Sequence, residues 1–101
     1  MSKSAAGPRD GEVAVVVTTT YRGVFFGYTK DPMADPISLR AARNCVSWPA
    51  EQMGFVGLAN PGPVRGCRVG PSADMPKLPG VTCVLLCSPE AVAKWEAAPW
   101  A

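Results

Sequence analysis

Val13 to Thr29, VAVVVTTTYRGVFFGYT, is the stretch that decides the fold. It predicts two β-strands, Val13–Thr20 and Val24–Lys30, that fold back on each other around Tyr21-Arg22-Gly23. β-branched and aromatic residues fill both arms, and the glycine supplies the backbone freedom that a tight turn requires. The segment therefore predicts a β-rich domain with an arginine at a hairpin tip.

Later segments extend this β-rich pattern. Valine dominates the aliphatic residues, with 12 Val against 5 Leu and 1 Ile, and its stiff χ1 torsion favours a sheet over a helix. Gly27, inside the second strand, is typical of a bulge or bend, which a small barrel needs in order to curl. Ile37–Trp48 fits either a strand or a short helix capped by Ser38, and we favour a strand. Val81–Cys87, VTCVLLC, is apolar on both parities, which predicts a central strand buried on both faces.

The remaining segments are rich in proline and glycine, which favour turns over regular structure. We interpret Pro49–Gly66 as a loop region that contains one short apolar piece, Gly54–Ala59. Cys67–Gly70 predicts a short strand, and Pro71–Gly80 predicts a second proline-rich loop.

The C-terminal segment carries the clearest helix signal. Ser88 suits the N-cap, Pro89 the first helical position, and Glu90 the positive end of the helix dipole. We predict a helix over 89–98 whose apolar face, with Trp95, packs on the sheet.

These elements define the expected fold class. We expect a flexible N-terminal leader over 1–12 and a single domain over 13–101. The class is β-rich α+β, a small bent antiparallel sheet or open SH3-like barrel of about five strands with one C-terminal helix.

Charge and composition exclude several classes of function. The net charge of +2 is too small to indicate nucleic-acid binding. The chain contains no histidine, which removes Ser-His-Asp and Cys-His nucleophiles and histidine general acid–base chemistry. No segment resembles a signal peptide or a membrane span. We therefore expect no enzyme activity, no catalytic residue, no cofactor and no membrane contact, and we expect a cytoplasmic protein.

The four cysteines, Cys45, Cys67, Cys83 and Cys87, predict small buried residues. Their spacing contains no C-x2-C knuckle of the kind that zinc sites use, and we expect no metal site. Two disulfides would require export, for which the sequence carries no signal.

The arginines carry the sharper functional hypothesis. A guanidinium beside an aromatic face is suited to gripping a phosphate and stacking a base. The alternative is that the arginines are scattered surface residues paired with nearby carboxylates, which would contribute little. Trp100, beyond the expected helix end, is a candidate contact with a partner. The candidate anion-binding residues are Tyr21, Arg22, Arg40, Arg43, Arg65 and Arg68.

The combination of motifs resembles a family of small proteins encoded in tailed-phage and prophage genomes, a domain of unknown function. The motifs that carry the resemblance are TTTYRGVFFG at 18–27, ARNC at 42–45, GFVGLA at 54–59, GCRVG at 66–70, and SPEAV with Trp95. The resemblance implies a phage origin and action in the bacterial cytosol or the virion, and it implies no particular activity.

Two functions follow as expectations. The first is a non-enzymatic phage accessory protein that binds an anionic, nucleotide-like ligand or a host protein, with interference in host defence as one role. The second is an oligomeric virion or morphogenesis component that assembles through sheet edges and Trp100. In both cases we expect a homo-oligomer.

Overall fold

The computed structural model describes residues 8–20, 23–52, 54–64 and 66–97. These residues form a small β-rich α+β fold: six antiparallel strands in an open sheet, with one short C-terminal helix. A 3₁₀ turn at Ala50–Gln52 precedes the first helix. The strands are β1 (Val13–Thr19), β2 (Val24–Thr29), β3 (Ile37–Ser47), β4 (Arg68–Val69), β5 (Ala73–Leu78) and β6 (Val81–Leu86), and the helices are α1 (Gly54–Ala59) and α2 (Pro89–Ala97).

The predicted hairpin is confirmed and forms the centre of the sheet. β1 pairs with β2 in antiparallel register from Val13↔Thr29 to Thr18↔Val24. Thr19 N donates to Gly23 O at 3.0 Å across the turn. Tyr21 and Arg22 lie outside the described residues. The strand order is β4-β3-β2-β1-β6, so β6 pairs with β1 on the side opposite β2.

The long strand β3 bends the sheet. The predicted strand from Ile37 is confirmed, and it spans 11 residues. Its first part pairs with β5 and its last part with β4, with register shifts between the paired segments. Ala41 has a φ of 54°, a left-handed conformation that is uncommon for a residue with a Cβ. The backbone N–H of Ala41 donates a hydrogen bond to the Asp74 carboxylate at 2.9 Å.

Gly27 is required by this bend. A Cβ at Gly27 would lie 2.9 Å from the Cβ of Leu39 on the neighbouring strand. The β2–β3 register shifts between Phe26 and Tyr28, so the predicted irregularity at Gly27 is confirmed. The glycine lets β3 approach closely and then turn away.

Each face of the sheet carries its own apolar cluster. The first lies beneath the helices, and there Phe26 stacks on Trp95 with ring centroids 4.9 Å apart. The second lies inside the bend that β3 and β5 form. The buried residues of the first are Ala14, Val16, Val24, Phe26, Tyr28, Cys45, Leu58, Ala59, Cys67, Val69, Ala91 and Trp95. Those of the second are Val15, Val17, Ile37, Leu39 and Ala42.

The C-terminal helix begins as predicted. The Ser88 hydroxyl accepts a hydrogen bond from Ala91 N at 3.0 Å, which satisfies one of the free donors of the first turn. Trp95 is buried and its Nε1 donates to Leu58 O at 2.9 Å, which fixes α2 against α1. The helix spans Pro89–Ala97, and residue 98 lies outside the described residues.

Three predictions are wrong. Gly54–Ala59 is a helix rather than a loop. Its glycines and valine are poor helix formers, so packing on the sheet outweighs local propensity. Pro71–Gly80 contains strand β5, because a strand with β3 on one side only can accommodate its proline. Val81–Cys87 provides β6, but at the end of the sheet rather than the centre.

Candidate binding surface

Arg40 is held inside the domain. Its Nε lies 3.1 and 3.0 Å from the two carboxylate oxygens of Glu12, and its Nη2 lies 2.9 Å from Oε1. The guanidinium carbon also lies 4.8 Å from the centre of the Tyr28 ring. The side chains of Arg40 and Glu12 are 16% and 7% exposed. Arg40 therefore ties the segment before β1 to β2 and β3.

This ion pair changes the acidity of both groups. The hydrogen bond from Arg40 lowers the pKa of Glu12 below its usual value, against the opposing effect of burial. The same bond raises the pKa of Arg40. Tyr28 continues the polar contacts, since its hydroxyl donates to Glu96 Oε2 on α2. A carboxylate already occupies the position at which Arg40 was expected to hold an external anion.

Arg43 is buried and donates hydrogen bonds to backbone carbonyl groups. Its Nε donates to Gly70 O and its Nη1 donates to Trp95 O, each at 2.9 Å. Burial lowers its pKa, while the negative charge of Glu96 acts in the opposite direction. The contact with Trp95 O lies near the C-terminal end of α2, where cationic side chains satisfy free carbonyl groups. Arg43 thus joins the sheet, the β4 region and α2.

Among the candidate anion-binding residues that the structure describes, Arg68 lies at the surface. It stands on the two-residue strand β4, opposite Ser47 at the end of β3. Tyr21, Arg22, Arg65 and Trp100 lie outside the described residues. Of the six expected anion ligands, the structure therefore describes three, and two of these make internal contacts with different partners.

Gln52 was missed by the sequence reasoning. Its amide nitrogen donates to Gly62 O at 2.7 Å, and its oxygen accepts from Val64 N at 2.8 Å and from the Cys67 thiol at 3.1 Å. These bonds hold the turn after α1 in place. A lone glutamine in a loop gives no sequence signal of burial, because glutamine is mostly exposed in proteins.

The cysteines are free thiols: Cys45 and Cys67 are buried, and Cys83 and Cys87 are half-buried. Burial raises the pKa of both Cys45 and Cys87 to about 12. Both therefore stay protonated near neutral pH and are poor nucleophiles. Within the described ranges, no three His, Cys, Asp or Glu residues lie close enough to hold a metal ion.

Strand β6 is an edge strand without the features that usually prevent pairing with another chain. In most proteins, charged side chains, a proline or a very short strand prevents an exposed edge from pairing with another chain. β5 carries Asp74, Pro76 and Lys77, and β4 has only two residues. β6 has six residues with no charge, no proline and no glycine, and none of them is fully buried.

The backbone of β6 presents hydrogen-bonding groups outward. Cys87 N donates to Ala14 O at 3.0 Å, and the register continues with Leu86 opposite Val15 and Leu85 opposite Val16. Because hydrogen-bonded and non-hydrogen-bonded pairs alternate along an antiparallel ladder, Leu86 and Val84 point their N–H and C=O groups away from β1. Among the described strands, only β1 pairs with β6.

Two concave surfaces adjoin β6. A groove of about 350 Å³ separates Val81–Val84 from the loop Pro32–Asp35, on which Met33 is 90% exposed. A hollow of about 450 Å³ lies at the other end, lined by Leu86, Cys87 and Val92 among others. Leu86 itself is 67% exposed. The β6 edge, Val81–Leu86 with these two concavities, is a feature of the described surface that the fold leaves unexplained.

The comparisons with known proteins identify a family but no function. No helix in the described part of the chain is long and apolar enough to cross a membrane. Searches of the curated proteins and of the solved structures gave no match. A family described as a domain of unknown function, DUF6948, matches residues 12–95, which run from the Glu12 that pairs with Arg40 to the Trp95 that anchors α2. The chain belongs to this family.

Proposed function

We propose that this protein is a non-enzymatic binding module that engages a protein partner by strand addition at the β6 edge. The observation that carries the proposal is an uncharged strand whose outward backbone groups have no strand partner in the described sheet. In strand addition, main-chain hydrogen bonds supply affinity, and alternate side chains that enter neighbouring pockets supply specificity. The two concavities beside β6 are suited to receive such side chains.

The composition of β6 supports the proposal independently. Val81–Cys87 is apolar on both parities, a pattern typical of strands covered on both sides. The described fold instead leaves every residue of β6 partly exposed. Where the sequence pattern of a segment disagrees with its burial in the fold, the segment is expected to be a functional or strained site. A partner strand would remove the disagreement because it would cover the edge.

The positions of the arginines favour a protein over an anionic small molecule. Arg40 donates to both carboxylate oxygens of Glu12. Arg43 donates to the backbone carbonyl groups of Gly70 and Trp95. An anion site at these two residues would have to displace contacts that hold the domain together. The anion-binding role expected for Tyr21, Arg22, Arg65 and Arg68 stays a prediction.

The setting we propose is the bacterial cytosol, where the module acts as a small accessory protein of phage or prophage origin. Its support is the set of motifs at 18–27, 42–45, 66–70 and 88–95 described above. The alternative setting, a virion or morphogenesis component, uses the same edge for assembly.

Site-specific photo-crosslinking in bacterial cells tests the module. A photoreactive phenylalanine analogue replaces Leu86 on β6 or, as the control, Val46 on β3, which is similarly exposed at 64%. We expect discrete adducts from position 86 and few from position 46, with the crosslinked protein identified by mass spectrometry. No adduct from position 86, or equal adducts from both, would overturn the proposal.

A further inference from the structure

We infer that the strand which occupies the β6 edge is β6 of a second copy of this chain, paired antiparallel about a twofold axis. This inference rests on the proposed strand addition and names its partner. The resulting dimer would have one continuous sheet, in which β6 becomes an interior strand, as its sequence pattern predicts.

The backbone geometry allows this pairing. Val84 and Leu86 direct their N–H and C=O groups outward, two residues apart, as derived above from the bond between Cys87 and Ala14. An antiparallel partner strand meets such groups in alternate pairs. In a twofold dimer the contacts are reciprocal, so the outward groups of Val84 in each copy can pair with those of Leu86 in the other.

The charge pattern favours a second copy. Like charges directly opposite each other on neighbouring strands are destabilising, so a charged strand can pair with its own copy only in registers that keep like charges apart. β6 carries no charged residue from Val81 to Leu86, so self-pairing meets no repulsion. β5 differs because it carries Asp74 and Lys77, which restrict the registers in which it could pair with its own copy.

The side chains of β6 extend both apolar clusters toward the edge. Leu85 packs against the first cluster and Val84 against the second. A second β6 strand would continue each cluster across the twofold axis. Leu86 and Met33, both largely exposed, would add apolar contact beside the backbone ladder.

The small size of the contact favours a reversible dimer over a permanent one. A stable dimer commonly buries about 800 Å² on each partner, and a ladder of six residues with two flanking side chains supplies less. We therefore expect a reversible dimer with a dissociation constant on the order of 10 μM, so that dilution from about 100 μM to about 1 μM dissociates it.

Native mass spectrometry and light scattering of the purified full chain over this concentration range test the inference. Val84→Pro removes an outward N–H, which a strand can lose on the side away from its neighbour. Leu86→Lys adds a charge to the edge, and Val46→Lys adds the same charge on β3. Circular dichroism and melting temperature report whether each variant folds.

We expect dimers from the wild type and from Val46→Lys at the higher concentration, and monomers from Val84→Pro and Leu86→Lys. If Val84→Pro does not fold, Leu86→Lys against Val46→Lys decides the question. A monomeric wild type would overturn the inference, and the proposed function would stand only if crosslinks from position 86 identify a different protein. A dimer that Leu86→Lys leaves intact would overturn the inference.

Discussion

The ion pair between Glu12 and Arg40 gives the sharpest prediction about stability. Glu12→Gln keeps the shape of the side chain but removes the charge that Arg40 faces at 2.9–3.1 Å. An exposed pair contributes about 0.2–1 kcal/mol, whereas a hydrogen bond to a charged group contributes about 1.5–3 kcal/mol. Because both side chains are mostly covered, we expect a loss of about 2 kcal/mol in the free energy of unfolding, within that second range.

Urea unfolding followed by tryptophan fluorescence measures this loss, since Trp95 lies in the core. The matched control is Glu90→Gln, which breaks the exposed pair with Lys94 at 3.3 Å on α2. A pair of that kind contributes about 0.3–0.5 kcal/mol, and the position near the helix N-terminus adds about 0.3–1 kcal/mol. Equal losses from the two variants would refute the argument that burial strengthens the Glu12 pair.

The same pair predicts a pH dependence. The pKa of Glu12 is lower in the folded chain than its usual value. The unfolded chain therefore takes up a proton at a higher pH than the folded one, and stability falls as the pH decreases. The contribution of Glu12 is fully present above its unfolded pKa and is lost as the pH falls through its folded pKa. Glu12→Gln should show a shallower loss of stability than the wild type below about pH 5.

The other predictions concern packing. Trp95→Phe removes the hydrogen bond to Leu58 O and leaves that buried carbonyl without its donor, and we expect a loss of about 1–3 kcal/mol in urea unfolding. A variant as stable as the wild type would show that the bond does not anchor α2. Gly27→Ala places a Cβ 2.9 Å from that of Leu39, and we expect a loss of about 1–3 kcal/mol from overpacking. Gly70→Ala, whose nearest neighbour is the Asn44 carbonyl oxygen at 3.7 Å, is the control and should melt within a few degrees of the wild type.

The candidate site shows which properties of a residue its sequence pattern can predict. Arg40 and Arg43 were selected because arginine beside an aromatic ring is suited to anions, and Arg40 does lie over Tyr28. Sequence cannot distinguish an arginine that awaits a ligand from one that the fold already satisfies. That difference depends on Glu12, 28 residues earlier in the chain, and on the backbone carbonyls of Gly70 and Trp95.

Local chemistry determined the β1–β2 hairpin, the irregularity at Gly27 and the cap of α2 at Ser88, because turn residues, β-branched side chains and caps act within a few positions of the chain. Tertiary structure alone decided that Gly54–Ala59 is helical, that β5 forms despite Pro76, and that β6 stands at the edge. Those outcomes depend on which distant surface covers each segment. The apolar sequence of β6 specified that the strand should be covered, but only the assembled sheet shows that the described fold leaves it open.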